Sequence, residues 1–169
     1  MDLLRFSSRR SVVMANNGLV ATSQPLAAQA GLRILMDGGN AIDAAVATAA
    51  VLNVVEPMST GVGGDLFALV WVAKDRKLYG LTSAGWAPAG WTPEFFTKTL
   101  GVKAVPASGV NAATVPGAIA GYDALLSRFG SMTFRETFER AAELVSYENA
   151  RAVLRRAHEL VNAAPTSAT

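Results

Sequence analysis

The sequence predicts an α+β fold in which helices pack against a short antiparallel sheet. Three observations carry this. Two helical segments, Pro25 to Met36 and Ala41 to Val55, are divided by Gly38-Gly39-Asn40, a stop followed by a cap. A near-continuous apolar run, Leu66 to Val72, is followed by a polar turn at Lys74 to Lys77 and a second run at Leu78 to Leu81, which is the pattern of a hairpin. Helical patterns return after Pro116 and continue almost to the end of the chain.

Residues 1–10 are basic and polar and read as a frayed lead-in. Gly18 to Ser23 alternates weakly and predicts a short strand. Pro25 suits the first turn of a helix, where its missing N–H is no loss. Leu26, Ala30, Leu32 or Arg33, and Met36 follow helical spacing up to the Gly38-Gly39 stop. Asn40 caps the next helix, and Asp43 stands near its positive N-terminal end. That helix, Ala41 to Val55, is apolar on nearly every side and predicts burial all round. Pro57 ends it. A glycine-rich loop (Gly61, Gly63, Gly64) leads into the hairpin. Thr82 to Thr92 is a loop, Pro93 to Leu100 a short helix, and Gly101 to Gly109 a connection. A helix runs from Pro116 to Phe129 and stops at Gly130. Thr133 and Glu136 form a capping box for the helix that carries Phe134, Phe138, Ala141 and Val145 on one face. A last amphipathic helix carries Ala150, Val153, Leu154, Ala157, Leu160 and Val161, and Pro165 to Thr169 is a polar tail.

The 169 residues are 51% hydrophobic and 17% charged, with a mean hydropathy of +0.28. Ordinary soluble domains carry roughly 25% charged residues. The shortfall is local: between Ser11 and Ala73 the only charges are Arg33, Asp37, Asp43, Glu56 and Asp65. So apolar a segment is a deep core, a membrane element, or a surface meant to be covered. The membrane reading fails, because Ala41 to Val55 is interrupted by Asp43, Thr48 and Asn53 and a spanning helix needs about 20 apolar residues. Ser11 to Gln24 is too polar for the core of a secretory signal, which points to a cytoplasmic location. The absence of cysteine excludes disulfides, thiolate zinc sites and a cysteine nucleophile. A net charge of +2, with no basic patch interleaved with aromatics, gives no nucleic-acid partner. His158, the single histidine, cannot build a metal site alone and reads as solvated.

Three strings stand out in order along the chain. They are Gly38-Gly39-Asn40-Ala41-Ile42-Asp43-Ala44-Ala45, Glu56 through Gly61-Val62-Gly63-Gly64-Asp65 to Phe67, and Thr114-Val115-Pro116-Gly117-Ala118-Ile119-Ala120-Gly121. Together they resemble the γ-glutamyltransferase family, in details its acylase-like branch, over about Ser11 to Ala142. The resemblance implies the N-terminal portion of an αββα four-layer N-terminal-nucleophile hydrolase fold. It divides the chain into a lead-in (1–10), a family region (11–142) and a divergent helical tail (143–169). In that family a precursor cleaves itself, and a threonine becomes the N-terminus of the second subunit. Its hydroxyl attacks the acyl carbon and its α-amine serves as base, while a Gly-Gly pair of that subunit stabilises the oxyanion. These groups belong to the family's C-terminal half, so no catalytic residue is expected within these residues, and the implied partner is that half. The resemblance implies no metal and no organic cofactor.

Each string also has a plain structural reading. Gly38 to Asp43 is a turn and cap between packed helices, with a direct substrate role as the alternative. Gly61 to Gly64 follows a helix and precedes a strand, the reverse of the order a dinucleotide site needs, and close backbone packing accounts for it better. Asp43 and Glu56 read as a helix-start charge and a helix-end loop residue rather than an acid/base pair. The substrate loop departs from the family. Where γ-glutamyl enzymes place an arginine that grips the donor's α-carboxylate, Ser83-Ala84-Gly85-Trp86-Ala87-Pro88 has Ala84, and where many acylase-like members place theirs it has Trp86. A guanidinium–carboxylate pair is strong and oriented; Trp86 offers a flat apolar face and one donor. Ser83, Ala84, Gly85 and Trp86 are therefore the candidate substrate-binding residues, with no preference for γ-glutamyl donors implied. The alternative for Trp86 is packing within the loop. Three roles remain open at this level: the N-terminal piece of an acyl- or γ-glutamyl-transferring enzyme, a non-catalytic module that binds its relative or itself through an apolar surface, and an orphan fragment.

Overall fold

Proline sets the start of the first helix. α1 spans Pro25–Met36 with Pro25 in its first turn. Beyond Asp37, Gly38 has φ 92°, a conformation that costs glycine nothing, and the chain turns into α2 (Ala41–Val55). The start of α2 is a reciprocal cap. The Asn40 side chain accepts from the N–H groups of Ile42 (2.8 Å) and Asp43 (3.2 Å), and the Asp43 carboxylate accepts from the Asn40 N–H (2.7 Å). The structure, a computed structural model, describes residues 11–145, with Arg155 and Glu159 in the tail.

The hairpin follows. β1 (Leu66–Val72) pairs antiparallel with β2 (Lys77–Ser83), Leu66 opposite Ser83 and Val72 opposite Lys77. Alternation divides the two faces. Leu66, Ala68, Val70, Val72, Tyr79 and Leu81 pack on the helical core. Phe67, Leu69, Trp71 and Leu78 face away from it and are exposed. α3 (Ala118–Phe129) and α4 (Phe134–Glu143) complete the helical layer. The core joins Ala27, Ala30 and Ile34 of α1, Val46, Ala47, Ala50 and Val51 of α2, Tyr122 and Leu125 of α3, and Phe138 and Ala141 of α4. α4 starts on the predicted capping box. The Thr133 N–H donates to Glu136 Oε2 at 2.8 Å, and the Glu136 N–H donates to Thr133 Oγ1 at 3.2 Å. The Thr133 N–H, and the Thr133 hydroxyl that donates to the same Oε2 at 2.7 Å, hold the Glu136 carboxyl below its usual range. Burial raises the Tyr122 phenol, against a smaller opposite effect of the Asn53 side-chain hydrogen bond.

The structure departs from the sequence reading in five places. Gly18 to Ser23 is not a strand: a strand needs a partner's ladder, and the described sheet consists of β1 and β2 alone. β2 extends beyond Leu78 to Leu81 at both ends, because β1 is long enough to pair with Lys77, Thr82 and Ser83. The short helix closes as a π-turn over Phe95–Thr99. α3 begins at Ala118 rather than Pro116. α2 is not buried all round, since Ala41 and Ala45 are exposed. They line a groove of about 560 Å³ with Ala49, Leu52 and the extended Gly18 to Thr22 stretch. The predicted tail helix around Val153 to Val161, with His158, lies outside the described residues, as do residues 1–10; Arg155 and Glu159 are helical and exposed. Among the described residues no helix is long and apolar enough to cross a membrane.

Candidate functional site

The glycine-rich loop, the end of β2 and the start of α3 meet at one end of the hairpin. Their meeting is made mostly of backbone. The Gly64 carbonyl accepts from the N–H groups of Gly117 (3.0 Å) and Ala118 (2.9 Å). It thereby satisfies two of the donors that a helix start leaves open, and the loop meets α3 with an acceptor rather than with phosphate-binding donors. Ser83 Oγ donates to the Gly117 carbonyl at 2.8 Å. The Val115 N–H donates to the Trp86 carbonyl at 3.0 Å.

Asp65 ties the same segments through a side chain. Its Oδ1 accepts from the Gly85 N–H at 2.8 Å and from Thr114 Oγ1 at 3.2 Å. The approach is so close that no side chain fits at Gly85, where a Cβ would come within 1.4 Å of the Val115 carbonyl oxygen. At Gly117 a Cβ would lie 2.3 Å from the Ser83 carbonyl oxygen. These glycines serve contact between backbones.

Of the predicted site residues, Ser83, Gly85 and Trp86 bond directly to the 114–117 segment or to Asp65. Ala84 and Trp86 are exposed, Trp86 at 85%. Trp86 is fixed through its carbonyl while its ring stays in solvent, so packing within the loop is not its role in this structure. Asp43 and Glu56 form no pair: they sit thirteen residues apart on and just beyond α2, about 20 Å along a helix axis. The Asp43 carboxylate is fully buried and accepts from the Ser131 N–H and hydroxyl and from the Met132 N–H. Asn40 Nδ2 donates to the Phe129 carbonyl at 2.7 Å. The Gly38 to Asp43 string is thus a staple between α2 and the α3–α4 turn. Glu56 accepts from Ser23 Oγ.

Sequence reasoning missed Asp65 and Thr114 as partners of the loop. The available signal was a lone carboxylate between a glycine run and an apolar strand. Among the described residues no group of three His, Cys, Asp or Glu side chains could hold a metal ion.

A helical layer behind a two-stranded sheet, with three glycine-bearing segments joined at one end, is the arrangement of a portion of an N-terminal-nucleophile hydrolase. The family model for gamma-glutamyltranspeptidase matches residues 27–167, and the chain belongs to that family. It is 36% identical over 132 residues to the glutathione hydrolase-like YwrD proenzyme of Bacillus subtilis, covering 78% of this chain and 25% of that protein. It is 33% identical over 147 residues to the acylase ACY 1 proenzyme of Pseudomonas sp. strain SE83, covering 82% and 26%. Among solved structures it superposes on cephalosporin acylase from Bacillus halodurans with a TM-score of 0.74 at 43% identity, over 94% of this chain and 30% of that one. For Helicobacter pylori gamma-glutamyltranspeptidase the TM-score is 0.71 at 34% identity, over 79% and 39%. The chain spans between 20% and 26% of the length of the curated relatives it matches.

Proposed function

We propose that this chain is the N-terminal portion of a γ-glutamyltransferase-like amidohydrolase or acylase, in which it provides scaffold and one wall of the acyl-donor pocket. The wall is Ser83, Ala84, Gly85 and Trp86. One observation carries this reading: the loop is pinned by the Ser83 hydroxyl, the Gly85 N–H and the Trp86 carbonyl while the Ala84 and Trp86 side chains remain in solvent. A rigid backbone that presents free side chains is what a substrate wall needs. The threonine nucleophile, its α-amine and the oxyanion donors come from a C-terminal half of the family type. The reaction is transfer or hydrolysis of an acyl group from an amide donor, without metal or organic cofactor, in the cytoplasm.

The test combines this chain with the C-terminal half of a close relative by co-expression. Activity is read on γ-glutamyl-p-nitroanilide and on a glutaryl amide. The complex turns over at least one of them, and the chain alone turns over neither. A soluble complex with no turnover on any acyl amide would remove the reading. A second reading, a non-catalytic module that binds a partner or its own copy, is favoured by the exposed apolar face of Phe67, Leu69 and Trp71.

A further inference from the structure

We infer that Asp65 is a positioning residue that sets the Ser83 to Trp86 loop, acting through the Gly85 N–H and the Thr114 hydroxyl; the link to donor binding rests on the function proposed above. Asp65 stands at the junction of the glycine-rich loop and β1, immediately before Leu66. Its backbone position is set from both sides. β1 is fixed by its ladder with β2, and the Gly64 carbonyl is fixed by two N–H groups at the start of α3. The carboxylate is therefore presented on a rigid base, although the residue itself is exposed.

One oxygen atom, Oδ1, takes both hydrogen bonds, 2.8 Å from Gly85 N and 3.2 Å from Thr114 Oγ1. An ionised acceptor makes such bonds stronger than a neutral one would. One donor lies within the loop and the other on the segment that runs beside it. Gly85 is the residue between Ala84 and Trp86, and Thr114 precedes Val115, whose N–H holds the Trp86 carbonyl. Loss of the carboxylate frees the amide between the two presented side chains and the hydroxyl beside the bond that holds Trp86. Among the described residues no other group accepts from the Gly85 N–H. Backbone contact limits where the loop can go: the space beside Gly85 is filled by the Val115 carbonyl. Asp65 thus selects one direction for Ala84 and Trp86 rather than creating the contact itself.

The experiment has two arms. The first uses the full chain and amide hydrogen exchange resolved at Gly85, with the amides of Ala47 and Ala50 in α2 as internal reference. Asp65→Ala raises Gly85 exchange about tenfold, the scale of one hydrogen bond to a charged group, and leaves the α2 amides unchanged. Thr114→Val, which cannot unfold the junction by removing a charge, raises it less; Asp65→Asn, which keeps a carbonyl acceptor, restores most of the protection. Unchanged Gly85 exchange in Asp65→Ala, or in Thr114→Val if the first variant unfolds, overturns the inference. The second arm uses the complex with a C-terminal half. There Asp65→Ala raises KM for the amide donor several-fold more than it lowers kcat, and Asp65→Asn largely recovers KM. Freed exchange at Gly85 with unaltered KM leaves Asp65 as the positioner of the loop and removes the loop from the donor pocket.

Discussion

At the residue scale, Asp43 ties together segments that lie far apart in the sequence. It is fully buried and joins residues 88 and 89 positions away, Ser131 and Met132, to the cap of α2. Asp43→Ala leaves the N–H groups of Asn40, Ser131 and Met132 without that acceptor and opens a cavity where a fully buried side chain stood, and a half-buried donor left unmet costs part of its desolvation. The expected loss is about 3 kcal/mol in urea unfolding; a loss of under about 0.5 kcal/mol, the usual range of surface changes, would show that the network is replaced by water. Ala84 makes a different prediction, in the complex with a C-terminal half. Ala84→Arg puts a guanidinium on an exposed, pinned loop, and raises use of α-carboxylate-bearing donors relative to plain acyl amides by roughly tenfold or more, the equivalent of 1.5–3 kcal/mol for a charged hydrogen bond. An unchanged donor ratio would mean that the loop does not face the donor. The sequence showed Asp43 as a helix-start charge, which is local information. Its partners across the α3–α4 turn, and those of Asp65 at Gly85 and Thr114, are contacts between distant segments, and no spacing rule reaches them.

At the scale of elements, the boundaries that the sequence predicted well are the ones with chemistry of their own. Pro25 opens α1, Asn40 and Asp43 cap α2, and Thr133 and Glu136 cap α4. The boundaries it missed depend on partners. Among the described residues Gly18 to Ser23 has no ladder to join, and the ends of β2 are set by β1 rather than by the polar residues Lys77, Thr82 and Ser83. Two titrating groups make these elements sensitive to pH. Glu136 has its carboxyl lowered by the Thr133 bonds, so its capping contribution is present above the ordinary carboxylate range and is lost as pH falls through the lowered value. In Glu136→Gln this acid-side part of the loss of α4 helicity disappears, which circular dichroism across an acid titration checks. Tyr122 runs the other way. Buried between α2 and α4, beside Asn53 and 6.0 Å from the Phe138 ring, it has a phenol raised above its ordinary 10.0. The stability held by its neutral form is complete below pH 10.0 and is lost as pH rises through the raised value. Tyr122→Phe therefore flattens the alkaline side of the unfolding-midpoint profile; an unchanged alkaline slope would assign it to other groups.

At the scale of the whole molecule, the apolar residues behind the charge deficit are both buried and exposed. Part of them fills the core between α1, α2, α3 and α4. Another part lies on the outer face of the sheet, where Phe67, Leu69, Trp71 and Leu78 are 70%, 77%, 61% and 56% exposed. Apolar side chains standing together on one face differ from the scattered ones that any soluble surface carries, and a large contiguous apolar patch is uncommon on a soluble monomer. Among the described residues the hairpin also has free strand edges, which template pairing with another chain. The isolated chain is therefore expected to self-associate and to bind a hydrophobic dye, as sedimentation velocity and dye fluorescence will show. The residues responsible are exposed, so they can be changed with little effect on the core. Leu69→Thr with Trp71→Thr keeps strand propensity and removes two of the four apolar side chains of that face; this variant retains its far-ultraviolet circular dichroism and loses much of both association and dye binding. Added in stoichiometric amount, a C-terminal half of the family type suppresses the dye signal of the unsubstituted chain, because the same face cannot be covered and bind dye at once. A monodisperse, dye-silent chain would contradict this account. If that chain then aggregated when shortened to end at Val145, the cover would be the tail, and the face would be closed by the chain's own residues rather than left for a partner.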